Sequence, residues 1–69
     1  MFTNAQIETL RTEFADAPER ISFAHADRMI DLLNKVQKLG GLKAMKQLAD
    51  ADIRFVSLTA AGRVLRWGK

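Results

Sequence analysis

Cysteine and tyrosine are absent from this 69-residue chain, and histidine, proline and tryptophan occur once each, as His25, Pro18 and Trp67. Without cysteine there are no disulfides, no thiolate nucleophile and no cysteine zinc site, and one histidine does not assemble an ordinary structural metal cluster. Stability therefore has to come from packing, in a chain shorter than the size at which a single core is comfortably stable unaided. No stretch approaches the roughly 20 apolar residues that span a bilayer, and the opening MFTNAQIETLRTEF has neither a basic start nor an apolar run. Cytosol is the expected compartment.

What is present is apolar content, 48% of residues, which is the level of a folded domain rather than a disordered tail. Charge is divided unevenly. Residues 1–34 hold six acids (Glu8, Glu13, Asp16, Glu19, Asp27, Asp31) against three bases (Arg11, Arg20, Arg28), a net of −3. Residues 35–69 hold eight bases (Lys35, Lys38, Lys43, Lys46, Arg54, Arg63, Arg66, Lys69) against Asp50 and Asp52, a net of +6. Such a split marks a polyanion site, or it holds oppositely charged helices or subunits together.

Thr3 followed by Gln6 has the form of a capping box, and Ile7, Leu10 and Phe14 recur at helical spacing, which predicts a helix over 4–15. Pro18 ends it, because the residue before a proline is disfavoured in helical conformation. Met29, Ile30, Leu32, Leu33, Val36 and Leu39 form the strongest stripe, predicting a helix from about Phe23 to Leu39. Gly40 with Gly41 then offers a residue that tolerates positive φ. Leu42, Met45, Leu48 and Ala49 repeat the pattern in a short third helix.

The closing segment ADIRFVSLTAAGRVLRWGK is ambiguous over residues 53–58. As a strand, IRFVSL alternates imperfectly, and no second β-rich run exists to pair with it. As a helix, Ile53, Val56, Ala60, Val64 and Trp67 form one row and Leu58, Ala61 and Leu65 a second. The helix accounts for more residues, with Gly62 costing about 1 kcal/mol relative to alanine. The expectation is one all-α domain over 1–69, a small compact bundle of three to four helices.

No constellation of side chains points to an enzyme. His25 would need Ser22 or Ser57 and an activating group, and a structural histidine is the simpler reading. Asp27 and Asp31 are too few for a protein-dominated calcium site, and Lys35 follows Asp31 at ion-pair spacing. Asp50 or Asp52 suits the N-cap of the last helix. LGGLK lacks the phosphate-binding glycine pattern. Neither a cofactor, a metal nor a small-molecule substrate is expected.

Two registers of a helix-turn-helix over Met45–Arg63 both fail, because Ile53 or Asp52 falls where the turn glycine belongs. LTAAGR (Leu58–Arg63) is similar to the segment that follows the wing in winged-helix regulators, but the recognition helix that should precede it is missing. LADADIRFVS (Leu48–Ser57) resembles small uncharacterised proteins encoded by phages and prophages; the resemblance implies a host-directed or regulatory role rather than a known activity.

On a helical wheel the last segment spans roughly 200° of apolar surface, well above the ~100° that one core requires. A face is left over, unless the short first and third helices wrap both sides. The expected function is binding: a homodimer, or a subunit docking on a protein, through Phe55, Leu58, Leu65 and Trp67 with Arg63 and Arg66 as a charged rim. The alternative is a nucleic-acid-binding regulator that uses Lys43, Lys46, Arg63, Arg66 and Lys69, with Trp67 available for stacking.

Overall fold

A computed structural model describes residues 1–39 and 41–67. Four helices follow one another: α1 (Asn4–Ala15), α2 (Phe23–Lys38), α3 (Leu42–Asp50) and α4 (Val56–Leu65). They contribute to a single core whose fully buried members are Phe14, Leu33, Met45, Leu48, Ile53 and Val56. The all-α architecture is therefore as the periodicity implies, and the described residues contain no strand.

Local chemistry sets the helix starts. Thr3 accepts the Gln6 N–H at 3.1 Å, and the Gln6 side chain accepts the Thr3 N–H at 2.8 Å, the reciprocal capping box. Ser22 caps α2 by accepting from the His25 N–H at 3.2 Å. At the far end of α2 the Gly41 N–H donates to the Val36 carbonyl at 3.1 Å and so satisfies one of the helix's last carbonyls. Gly41 itself has φ −85° and leads into α3, so it is not the positive-φ residue; Gly40 lies outside the described residues. Tight packing explains Gly41 instead, since a Cβ there would stand 3.2 Å from the Val36 carbonyl oxygen.

The last helix begins three residues later than the wheel from Ile53 implies, and neither aspartate caps it. Asp52 and Phe55 both have positive φ, 55° and 64°, which turns the chain sharply between α3 and α4. Aspartate tolerates that conformation through its short polar side chain, whereas an aromatic residue is strained in it. Ser57 fastens the turn: its hydroxyl accepts the Ile53 N–H at 2.8 Å and donates to the Leu48 carbonyl at 2.6 Å. Ile53 is thereby driven into the core, 2% exposed, so its place in the apolar row survives although it is not helical.

From this turn α4 runs back along α3. Ser57 meets Leu48 near the turn, and Lys46 shares a groove with Val64 and Leu65 toward the other end. The amino terminus is held against α3 as well, because the Phe2 N–H donates to Gln47 Oε1 at 2.8 Å and Gln47 Nε2 donates to the Phe2 carbonyl at 2.7 Å.

Candidate functional site

Helix α4 presents two rows of side chains with opposite fates. Val56 and Ala60 are buried, and Val64 and Trp67 pack half-buried against the core. The second row faces outward: Leu58 is 82% exposed and Leu65 76%. Between them lie half-buried Ala61 and Gly62, and a Cβ added at Gly62 would meet nothing within 4 Å. Residues 58, 61, 62 and 65 follow the i, i+3, i+4, i+7 spacing of one helix face, so two leucines flank a low saddle about 10.5 Å long.

Beside this saddle an open groove is lined by Lys46, Ala49 and Asp50 from α3 and by Ala61, Val64 and Leu65 from α4. Neither Lys46 nor Asp50 makes an ion pair among the described residues, where the pairs are Arg11–Glu8, Arg28–Glu13 and Lys35–Asp31. The groove thus has an apolar floor with one acid and one base at its edge. Elsewhere, exposed Met1 and Leu39 line a groove with Phe2, Gln6, Val36, Gly41 and Ala44. Phe23 and Ile30 share a side of α2, but exposed Asp27 stands between them. Single exposed apolar residues are ordinary on a protein surface.

Of the six side chains that the sequence points to for a protein contact, Leu58, Leu65 and Arg66 lie exposed. Phe55, expected at the contact, is not exposed. Its positive φ turns it onto the core, half-buried, and the Arg54 guanidinium sits 5.0 Å from the ring centroid. Trp67 likewise packs on the core, just beyond the end of α4. Arg63 reaches across to α2, donating from Nη1 to Asn34 Oδ1 at 2.9 Å and to Gln37 Oε1 at 3.0 Å.

That Arg63 contact belongs to a pattern that sequence reasoning missed. Arg11 of α1 donates to the Ala51 carbonyl beyond α3. Arg54 donates from Nε to the Ala17 carbonyl at 3.0 Å, joining the α3–α4 turn to the α1–α2 link. Arg28 binds Glu13 at 3.1 Å, joining α2 to α1. Four arginines therefore fasten segments together. Their long reach and planar fork suit carbonyl and amide acceptors across a seam, but no spacing rule in a sequence announces a contact 37 or 40 residues away.

For the nucleic-acid set this matters directly. Lys43, Lys46 and Arg66 are exposed, Arg63 is engaged by α2, and Lys69 lies outside the described residues. Lys43 and Lys46 line one groove together with Met1, Ile7, Gln47 and Asp50, and Lys46 also borders the groove that holds Leu65.

His25 has the serine neighbour that the sequence allowed. The Ser22 hydroxyl lies 2.6 Å from His25 Nδ1, and the His25 ring stands 5.8 Å from that of Phe14. The first contact follows from the helix cap, which places a residue three positions after the serine over its hydroxyl, and the second from packing of α2 on α1. Among the described residues no group of three or more histidine, aspartate or glutamate side chains is placed to hold a metal ion, and no helix is long and apolar enough to cross a membrane.

No protein-family model matches the chain, and no curated protein or solved structure is significantly similar to it.

Proposed function

We propose that this chain is a non-enzymatic binding protein, a small regulator or inhibitor that acts by docking its α4 face onto a protein surface. The observation that carries this reading is the exposure of Leu58 and Leu65 on a helix whose opposite row already completes the core. In a chain this small, two protruding leucines on one continuous apolar face leave unburied a surface that association would cover. Arg66 and Lys46 supply a basic edge, and their long apolar stems extend the contact area.

Substituting Leu58→Ala and Leu65→Ala together tests it. The double variant should melt close to the parent protein, because truncating exposed side chains removes little burial, while association is lost. An equal loss of folding and association would assign both leucines to the monomer core. The nucleic-acid alternative rests on exposed Lys43, Lys46 and Arg66. A titration with mixed-sequence duplex DNA, followed by Trp67 fluorescence, separates the two. Saturable binding that weakens steeply with salt would replace the protein-docking reading, because that dependence is the signature of counterion release from phosphates.

A further inference from the structure

We propose that the occupant of the α4 face is a second copy of this chain, paired antiparallel through a two-fold axis that passes between Ala61 and Gly62; the proposal rests on the docking reading above. Positions 58, 61, 62 and 65 are symmetric about that midpoint, with Leu58 and Leu65 each 3.5 residues away, about one helical turn. A two-fold contact requires a surface complementary to itself, so that residue i meets residue j and j meets i. Here Leu58 of one copy meets Leu65 of the other, and Ala61 meets Gly62.

Three observations fit this occupant. The first is shape. Leu58 is a protruding knob, and one turn beyond the midpoint the same face carries a groove bounded by Ala61, Val64, Leu65 and Ala49. The symmetry that sets Leu58 level with Leu65 of the second copy delivers the knob to that groove. The second is Gly62. Its Cβ position is empty space within one chain and it has no left-handed φ to explain it, so packing within the monomer gives no reason for glycine in the middle of α4. A facing helix at close approach does, because small residues at a crossing point let backbones come together.

The third is charge. Lys46 and Asp50 lie on the edge of the groove without ion-pair partners among the described residues. Each copy therefore brings one acid and one base to the rim of a two-fold pair. Opposite charges at such a rim fix register more than affinity. The face is short, a helix of 10 residues, so the dimer is expected to dissociate on dilution.

The absence of cysteine makes disulfide trapping clean. Leu58→Cys and Leu65→Cys are prepared separately, checked for native circular dichroism, and oxidised in a thiol–disulfide buffer alone and as an equimolar mixture; Gly62→Cys is oxidised alone. The antiparallel pairing predicts that the mixed 58–65 disulfide outweighs both same-site products, and that Gly62→Cys links to itself near the axis, since trapping requires Cβ atoms about 4 Å apart. Sedimentation of the unmodified chain should show a monomer–dimer equilibrium that Leu58→Ala with Leu65→Ala weakens by about a hundredfold.

A dominant 58–58 product, or equal yields of all pairings, would overturn the arrangement. So would a chain that stays monomeric when concentrated. The melting point of the double alanine variant then tells which layer has failed. If it melts with the parent, the second copy is wrong and the face remains open to a different protein; if it unfolds, the docking reading fails as well.

Discussion

Replacing Gly62 with alanine should make the folded chain more stable. Gly62 lies inside α4, three residues before its end at Leu65, and carries no positive φ that a side chain would resist. A new methyl group would meet no atom within 4 Å, so no steric cost opposes the change. Glycine in a helix interior costs about 1 kcal/mol relative to alanine through backbone entropy. Proximity to the helix end, where fraying dilutes the effect, brings the expected gain to roughly 0.5–1 kcal/mol. For a domain of this size each kcal/mol moves the melting temperature by about 4–8 °C, so the variant should melt roughly 2–8 °C higher. Thermal and urea unfolding followed by circular dichroism measure both quantities, with the protein dilute enough for self-association to be negligible. An unchanged or lower melting point would refute the reasoning, because it would mean that the segment after Ala60 is not helical in solution or that the space beside Gly62 is filled.

Other substitutions test the seams and the core. Ser57→Ala should cost about 1–3 kcal/mol, seen as a lower urea midpoint, because the Ile53 N–H would lose its partner and the Leu48 carbonyl would keep only the Ala51 N–H. Thr3→Ala removes one arm of the capping box and should cost about 1 kcal/mol, with faster amide exchange confined to the first turn of α1. Leu33→Ala, at a fully buried site, should cost about 2–5 kcal/mol and leave the chain largely unfolded at room temperature by near-ultraviolet and far-ultraviolet dichroism. Arg54→Lys keeps the charge but lacks the Nε donor that reaches Ala17; a stability equal to the parent's would show that this contact contributes nothing.

The helices were legible because their signals are local. Thr3 and Gln6 define the start of α1, Ile7, Leu10 and Phe14 supply its buried stripe, and the long apolar row of α2 repeats at helical spacing. The apolar row from Ile53 to Trp67 was also readable, as was the outward position of Leu58 and Leu65. The start of α4 was not. A helix wheel assumes helical geometry throughout, whereas Asp52 and Phe55 take left-handed conformations that a sequence rarely assigns to an aromatic residue, and the turn is closed by Ser57 from inside the helix it precedes. Phe55, expected at the contact face, lies half-buried on the core for the same reason. Arg63 looked like a free cation because its partners, Asn34 and Gln37, are 29 and 26 residues away.

The division of labour among the basic residues has a consequence for how the molecule responds to its surroundings. Eleven lysines and arginines contribute equally to net charge, yet four of the six arginines act as fasteners while Lys38, Lys43 and Lys46 stand in solvent. Acetylating the lysines would therefore erase much of the positive field and leave the fold nearly intact. A dicarbonyl reagent that modifies guanidinium groups would remove a similar amount of charge and loosen the seams between helices. Two treatments with the same electrical effect would yield, in one case, a neutralised surface on an unweakened fold and, in the other, a less stable fold that has lost its inter-helix contacts.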